Sequence, residues 1–277
     1  MMHVVLYRPN LGKRPAHLIS EASKKNIQPQ LSTDPWKEKP EFVFRWGTTS
    51  DIPDSDKRVV VNFTKSIYKT SDKGAFRKKM SDMKLAPRTS LSLVEFCKDP
   101  FIPVIVRPRG HQRSENLFFC DNLSDVVARC QKYHEGGYYI SEYIEKDSEY
   151  RVFVAQGRVA WVIKKLPVDK KEISWGCVSD GSFEYVAWGD WPIHVVKNAI
   201  NVMSHSTLDF GAVDVIVKGD KAYMCEVNTA PYLTPYYAGC IAKTFDYMIS
   251  KGSKDRIPLE DNKTWKDFIH PEVAKGA

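Results

Sequence analysis

The first quarter of the chain alternates short apolar runs with polar connections, a pattern typical of strands joined by helices or loops. Apolar runs at residues 3–7, 42–47 and 59–63 predict three strands, and residues 13–26 predict a helix after the first of them. Pro29 and the stretch 35–40 indicate loop. Because strands separated in this way form parallel sheets, the sequence predicts a small parallel α/β unit here.

The next segment begins with capping residues at positions 70–72, which predict a helix start. Phe76, Met80 and Met83 form one apolar stripe, and the helix should end before Pro87. Residues 101–108 and 117–120 predict two strands around a cationic turn at 109–116. A second helical stripe consists of Leu123, Val126, Val127 and Cys130.

The C-terminal half is richer in strands. Residues 138–144 predict one strand, and residues 149–154 and 158–165 predict a hairpin. A helix begins at Trp191 and Pro192, since proline is tolerated in a first turn. It leads into a second hairpin at residues 211–231, and residues 239–250 predict the last helix.

Three polar residues interrupt the apolar strands of this second hairpin: Asp214, Glu226 and Asn228. Glu226 and Asn228 share one face of a regular strand. Asp214 lies opposite Glu226 if the loop has three residues or if the hairpin contains a bulge, whereas a two-residue turn without a bulge puts them on opposite faces. A shared face would suit a divalent cation with oxygen ligands. Alternatively, Asp214 caps a strand end and Glu226 pairs with a lysine.

Composition is that of an ordinary globular protein, with 43% apolar and 27% charged residues. No apolar run approaches the roughly 18 residues of a membrane span, and the N-terminus lacks a secretory signal pattern. The six cysteines, Cys177 among them, form no CxxC pair. We therefore expect a cytoplasmic protein with reduced thiols and no membrane partner.

Charge is unevenly distributed along the chain. Residues 1–113 carry 22 Lys and Arg against 11 Asp and Glu, while the remainder carries 19 against 23. A basic first part and an acidic second part suit an anionic ligand held by one part and metal-binding carboxylates in the other. Nucleic-acid binding is the competing interpretation, which is not favoured because the basic residues are scattered.

Four stretches in this order resemble the ATP-grasp superfamily of carboxylate–amine ligases, which includes D-alanine–D-alanine ligase, glutathione synthetase and the ligases of ribosomal-protein tails. The stretches are residues 71–73 with 85–89, residues 103–108, residues 142–144 with 149–151, and Asp214 with residues 226–231. The resemblance implies an ATP-grasp fold of mixed α+β and α/β class. Its expected parts are an N-terminal α/β domain (1–68), a central lid subdomain (69–136) and a C-terminal antiparallel-sheet domain (137–277).

The same resemblance implies the binding site. Lys73 and Arg107 match phosphate-binding positions, although the second is usually a lysine. Glu142, Tyr143 and Ile144 match the hinge that meets adenine, and Glu149 matches the acceptor of ribose hydroxyls. Asp214, Glu226 and Asn228 match the ligands of two Mg²⁺ ions that bridge the ATP phosphates.

Two departures from the family pattern concern catalysis. The glycine-rich lid loop is replaced by Arg-Gly-His-Gln-Arg at 109–113, and Ala212 stands where some members have an arginine. Another cation must then stabilise the tetrahedral intermediate, and the candidates are Arg151, Lys164 and Lys165. Arg151 is the better placed, because it shares a strand face with Glu149. Alternatively, Arg151 forms an ion pair with Glu142 or Glu226.

The resulting functional hypothesis is an ATP-dependent ligase that joins a carboxylate to an amine through an acyl phosphate. Its substrates would be small molecules or peptides. The alternatives are an ATP-grasp kinase, a non-catalytic nucleotide-binding module and a nucleic-acid-binding protein.

Overall fold

A computed structural model describes residues 2–34, 39–52, 57–110, 116–175 and 181–275. The predicted features at Pro35, at positions 111–113 of the lid turn and at Cys177 lie outside these residues. The described strands form three sheets of four, four and five strands, termed the N-terminal, central and C-terminal sheets in chain order.

The N-terminal sheet is parallel, as the sequence predicts. Its strands are β1 (Val4–Tyr7), β2 (Ile27–Gln30), β3 (Phe42–Arg45) and β4 (Val59–Val61), in the order β2-β1-β3-β4. Helix α1 (Arg14–Ala22) connects the first two strands. The interpretation of Pro29 as loop was wrong, because this residue lies in β2. Proline is tolerated there since β2 is an edge strand, where one side of the backbone needs no ladder hydrogen bond.

Two consecutive helices follow, α2 (Thr64–Ser71) and α3 (Lys73–Asp82), where the sequence predicts only the second. The side chain of Asp72, between them, accepts a hydrogen bond from the Ala75 amide and so caps α3. The capping residues at positions 70–72 lie at the end of α2 and mark the start of α3, so the sequence pattern identified α3 alone.

The central sheet is antiparallel, in the order β5-β8-β6-β7. Its members are β5 (Thr89–Ser90), β6 (Val104–Pro108), β7 (Phe118–Cys120) and β8 (Tyr138–Glu142), with helices α4 (Leu93–Lys98) and α5 (Leu123–Cys130) between them in sequence. Its own small core includes Phe96, Val104, Val106 and Ile140. The domain boundaries given above stay predictions. Strand β8, which they assign to the C-terminal domain, pairs with β5 and β6 of the central sheet.

The C-terminal sheet carries the largest core. Its strands, β9 (Ser148–Ala155), β10 (Arg158–Leu166), β11 (Ser182–Tyr185), β12 (Phe210–Lys218) and β13 (Lys221–Asn228), run antiparallel in the order β11-β10-β9-β12-β13. Helix α6 (Ile193–Ser206) lies against β12, β13 and β9, and α7 (Pro235–Lys251) lies against β10 and α1. The helix predicted at 239–250 is present as α7, but it is not the last one, since α8 (Trp265–Phe268) and α9 (Pro271–Ala274) follow.

The register of the β12–β13 hairpin decides where its carboxylates point. Lys218 pairs with Lys221, so the turn has two residues, Gly219 and Asp220. Asp214 nevertheless pairs with Glu226, because a bulge at Cys225 shifts the register by one residue. The sequence analysis allowed either a three-residue loop or a bulge to place Asp214 opposite Glu226, and the structure has the bulge.

Candidate functional site

One face of the C-terminal sheet carries a cluster of charged side chains centred on Asp214. Arg151 on β9 faces Asp214 on β12 and donates from Nε and Nη2 to its two carboxylate oxygens, at 2.6 and 2.8 Å. Lys165 on β10 adds a third hydrogen bond, from Nζ to Oδ2 at 2.8 Å. Burial opposes ionisation of Asp214, but these two cations outweigh it and hold its pKa well below the usual range.

Glu149 lies in the next row of the same face, opposite Lys165. Lys165 also donates to Glu149, so one ammonium joins both carboxylates. Lys146 donates to the other oxygen of Glu149 at 2.6 Å, and its ammonium stands 4.7 Å from the centre of the Trp175 ring. Burial lowers the pKa of Lys165, but Asp214 and Glu149 more than offset it and raise the pKa above the ordinary lysine value. The buried charges of this cluster are therefore paired, as a low-dielectric site requires.

A second ion pair joins α3 to β13 at the edge of this face. Lys73 is the first residue of α3, and its Nζ lies 2.7 Å from Oε2 of Glu226. Asn228 donates from Nδ2 to the other oxygen, Oε1, at 3.2 Å. Both members of the ion pair are about one-quarter exposed. The structure therefore brings together the first predicted phosphate ligand and two predicted metal ligands.

The donor chemistry of this site fits Mg²⁺. A carboxylate accepts about four hydrogen bonds; Asp214 accepts three and Glu226 two. Among the described residues no three His, Cys, Asp or Glu side chains cluster as a metal site by themselves. An ion here would therefore rely on these two carboxylates, the Asn228 amide, and phosphate and water oxygens. Mg²⁺ commonly binds with few protein ligands of this kind.

The predicted adenine hinge lies at the end of β8, beside the central sheet. The amide of Glu142 donates to the carbonyl of Arg88, and the amide of Tyr143 donates to that of Pro103. The Tyr143 ring meets Phe119 edge-on at 5.0 Å between centroids. Ile144 follows directly and is half-buried. Two hinge amides therefore already donate hydrogen bonds to backbone carbonyls of the protein.

Arg107 lies on β6 opposite Tyr139 of β8. Burial raises the pKa of Tyr139, and the nearby charges of Arg77 and Arg107 partly counteract this rise. Arg77 itself donates to the Ser141 hydroxyl at 3.0 Å and to the Cys225 carbonyl at 2.9 Å. Arg77 therefore ties the central sheet to the bulge of β13.

The catalytic candidates separate by face. Arg151 and Lys165 point into the charged cluster, whereas Lys164 lies on the opposite face, across from Tyr150 and Glu184. The alternative partner predicted for Arg151, Glu142 or Glu226, was wrong, because its carboxylate is Asp214.

Several charged residues of the site were not identified from sequence. Lys146 holds Glu149, Arg77 bridges two sheets, and Arg109 forms a bidentate ion pair with Asp72 beside Lys73. The sequence offered one signal for these contacts, the capping residue Asp72, since a capping aspartate can accept hydrogen bonds from further donors.

Comparisons with solved structures find close agreement in fold at low sequence identity. D-Alanine–D-alanine ligase from Bacillus anthracis superposes with a TM-score of 0.65 and 14% identity, over 90% of this chain and 95% of that one. The ligase PsnB, complexed with a minimal precursor, Mg and ADP, gives 0.63 and 12%, over 91% and 99%.

A RiPP-associated ATP-grasp ligase from Chryseobacterium gregarium, in complex with ADP and a leader and core peptide, gives a TM-score of 0.63 and 14% identity, over 93% of this chain and 100% of that one. No protein-family model and no curated protein sequence matches the chain. None of the helices in the described ranges is both long and apolar enough to cross a membrane. This protein therefore has the ATP-grasp fold, with an N-terminal α/β unit and two antiparallel sheets.

Proposed function

We propose that this protein is an ATP-dependent ligase that forms an amide bond between a carboxylate and an amine, releasing ADP and phosphate. The observation that carries the proposal is the convergence of Lys73, Arg151 and Lys165 on Asp214, Glu149 and Glu226 at one face of the C-terminal sheet. The similar folds of ligases complexed with ATP or with ADP and Mg support it.

The nucleotide would lie between the central and C-terminal sheets. Lys73 and Arg107 would contact its phosphates, and Glu149 would accept hydrogen bonds from its ribose. Adenine would meet the hinge through the Ile144 amide and the hinge carbonyls, because the amides of Glu142 and Tyr143 are already bonded. Asp214, Glu226 and Asn228 would hold Mg²⁺, two ions being expected, which would neutralise negative charge on the phosphates.

The reaction needs an anionic carboxylate to approach an anionic triphosphate. A carboxylate oxygen attacks the γ-phosphorus, the bond to the bridging oxygen breaks, and ADP leaves with that electron pair. The amine nitrogen then attacks the acyl carbon to give a tetrahedral intermediate, which loses a proton from the nitrogen to solvent and expels phosphate. The fixed cations supply most of the acceleration by stabilising charge as it moves.

Arg151 is the group that we assign to the oxyanion of that intermediate. It points into the cluster and retains some solvent exposure, at 15% of its side chain, whereas Lys165 is at 8% and serves both buried carboxylates. Lys164 lies on the wrong face for this role. We therefore propose that Arg151 takes the role of the arginine that some members of the superfamily carry at the position of Ala212.

An aromatic surface extends from the charged face toward solvent. Arg151 faces Ile163, which in turn faces Tyr185 on the edge strand β11. Tyr185 meets Tyr236 of α7 edge-on, with ring centroids 5.2 Å apart, and both are exposed. We propose that this surface contacts an amino acid or peptide substrate, since tyrosines bind such groups at little entropic cost. Two of the similar ligases are complexed with peptides or precursors.

The deciding experiment measures phosphate and ADP release with ATP and Mg²⁺ against a panel of amino acids and short peptides, singly and in pairs. Release that requires both a carboxylate and an amine, with an amide product of matching mass, supports the ligase. A stable phosphorylated product without ligation would instead identify a kinase. No ADP release with any pair would indicate a binding module.

A further inference from the structure

A cavity of about 440 Å³ lies away from the charged face, beside the N-terminal sheet. Arg45 at the end of β3 and Val60 of β4 form one wall, and Lys65 and Lys69 of α2 form another. Its lining includes none of the residues assigned to nucleotide, metal or catalysis. An inference about this cavity therefore stands independently of the proposed ligase activity.

Arg45 is the most unusual residue of the lining, because a guanidinium only 2% exposed is almost always paired. Its Nη1 donates to the carbonyls of Thr48 and Ser50, while Nε has no hydrogen-bond partner. No carboxylate of the described chain lies within ion-pair distance of it. Burial lowers the pKa of Arg45, and the nearby Tyr7 and Asp51 offset this only in part, so an anion in the adjoining cavity would stabilise the charged guanidinium.

Two further cations face the same space. Lys65 and Lys69 are four residues apart on α2, so they share one side of the helix. Both are exposed, and neither forms an ion pair within the described residues. The first turn of α2 also has no side-chain cap, which leaves amide groups that favour an anion. Asp51 is the one acidic residue among the described residues of the lining, where three cations face one carboxylate.

The remaining described lining is half polar, from Thr64, Ser66 and Thr207, and half apolar. Ile52 and Val60 are buried, and Phe63 is 47% exposed at the start of α2. The space is larger than a phosphate group alone would fill, so the ligand should have an organic part as well as a charge. Three cations with a helix N-terminus match the double charge and three acceptor oxygens of a phosphate monoester better than the single charge of a carboxylate.

We propose that this cavity binds a small organic phosphate monoester, with its phosphate between Arg45, Lys65 and Lys69 and its organic part against Ile52, Val60 and Phe63. The ligand would complete the charge balance of the buried Arg45. The site would be separate from the nucleotide site, so occupancy of one would not displace the ligand of the other.

Isothermal titration of the full-length protein with phenyl phosphate, in a phosphate-free buffer, tests the proposal. One equivalent should bind, at least tenfold more tightly than benzoate, benzyl alcohol or inorganic phosphate. Saturating ADP should not displace it, and Lys73→Ala should leave its affinity unchanged. These last two results distinguish the cavity from the proposed nucleotide site, whether or not the ligase proposal holds.

The variant Lys65→Ala/Lys69→Ala should weaken binding at least tenfold without changing the melting temperature, since both side chains are exposed. Lys197→Ala, which removes an exposed lysine from α6, is the matched control and should bind normally. Arg45→Gln is less suitable, because replacing this buried and hydrogen-bonded side chain would also destabilise the fold. Displacement by ADP, equal binding of benzoate or inorganic phosphate, unchanged affinity in the double variant, or no saturable binding would each overturn the proposal.

Discussion

Lys73 and Glu226 form an ion pair, with 2.7 Å between Nζ and Oε2, that joins the start of α3 to β13. The proposed phosphate ligand thus neutralises a proposed metal ligand. Binding of Mg²⁺ and ATP would supply new partners for both groups, so the pair would open as the nucleotide enters. Because both side chains are partly exposed, the pair itself contributes less than about 1 kcal/mol to stability, and opening it costs little.

Glu226→Gln should therefore abolish ATP turnover while leaving the fold intact. The amide keeps the size of the side chain but removes the negative charge that the proposed Mg²⁺ and Lys73 both need. We expect at least a hundredfold loss of ADP release and a change of less than about 1 kcal/mol in unfolding free energy. Turnover at the parental rate would show that the metal assignment is wrong.

Glu184→Gln provides the matched control for this variant. Glu184 lies on the same sheet but across from Lys164, on the face that points away from the charged cluster. It is exposed, so the substitution should change neither stability nor turnover. A comparable loss of ADP release in both variants would indicate that removing any negative charge from this sheet lowers turnover.

The two neighbouring lysines Lys164 and Lys165 should behave very differently. Lys165→Met leaves Asp214 and Glu149 with fewer counter-charges in a buried site, so we expect a loss of about 3–5 kcal/mol. Lys164→Met should cost less than about 0.5 kcal/mol and retain turnover. Urea unfolding and ADP release measure both. Equal effects in the two variants would contradict the assigned strand register.

Much of the sheet organisation was predictable because apolar runs and turn residues are local signals. The charged residues could be identified only in part. The bulge at Cys225 decides whether Asp214 faces Glu226, yet a bulge is set by pairing energies along the whole hairpin and carries no fixed sequence mark. The Asp214–Arg151 pair likewise depends on β9 pairing with β12, which lies 55 residues or more away in the chain and cannot be deduced from spacing.

The ion pair between Asp72 and Arg109 should hold Arg109, which directly follows β6, beside Lys73. Arg109 Nε lies 3.0 Å from Oδ1 of Asp72, and Nη2 bonds the other oxygen. Asp72→Asn keeps the helix cap but weakens this bidentate contact. Both side chains are substantially exposed, so stability should change by less than about 1 kcal/mol, while KM for ATP should rise several-fold.

Steady-state kinetics of Asp72→Asn, Arg109→Gln and the double variant test this relationship. If the pair acts as a unit, the double variant should resemble either single one. Asp82→Asn removes another ion pair of α3, with Lys78, and should leave KM unchanged. Additive effects of the two substitutions would mean that Asp72 and Arg109 act separately.

His270 is a buried histidine at the start of α9. Its ring is fully enclosed, with Nε2 3.3 Å from Oε1 of Gln156 and the Tyr247 ring packed edge-on against it. Burial, and secondarily the positive charge of Arg158, lowers its pKa to about 3. The folded protein therefore keeps this imidazole neutral at pH values where an unfolded chain protonates it.

Stability should consequently fall as the pH decreases from 7 to 5. Between about 6.5, the pKa of an unfolded histidine, and about 3, the unfolded chain binds a proton that the folded chain does not, so acid favours unfolding. Between pH 7 and pH 5 the contribution of His270 is about 2 kcal/mol. Urea unfolding at both pH values should show His270→Gln losing stability at pH 7 but depending less on pH, whereas His194→Gln, at an exposed position on α6, should keep the parental dependence. A pH dependence unchanged by His270→Gln would mean that other groups carry it.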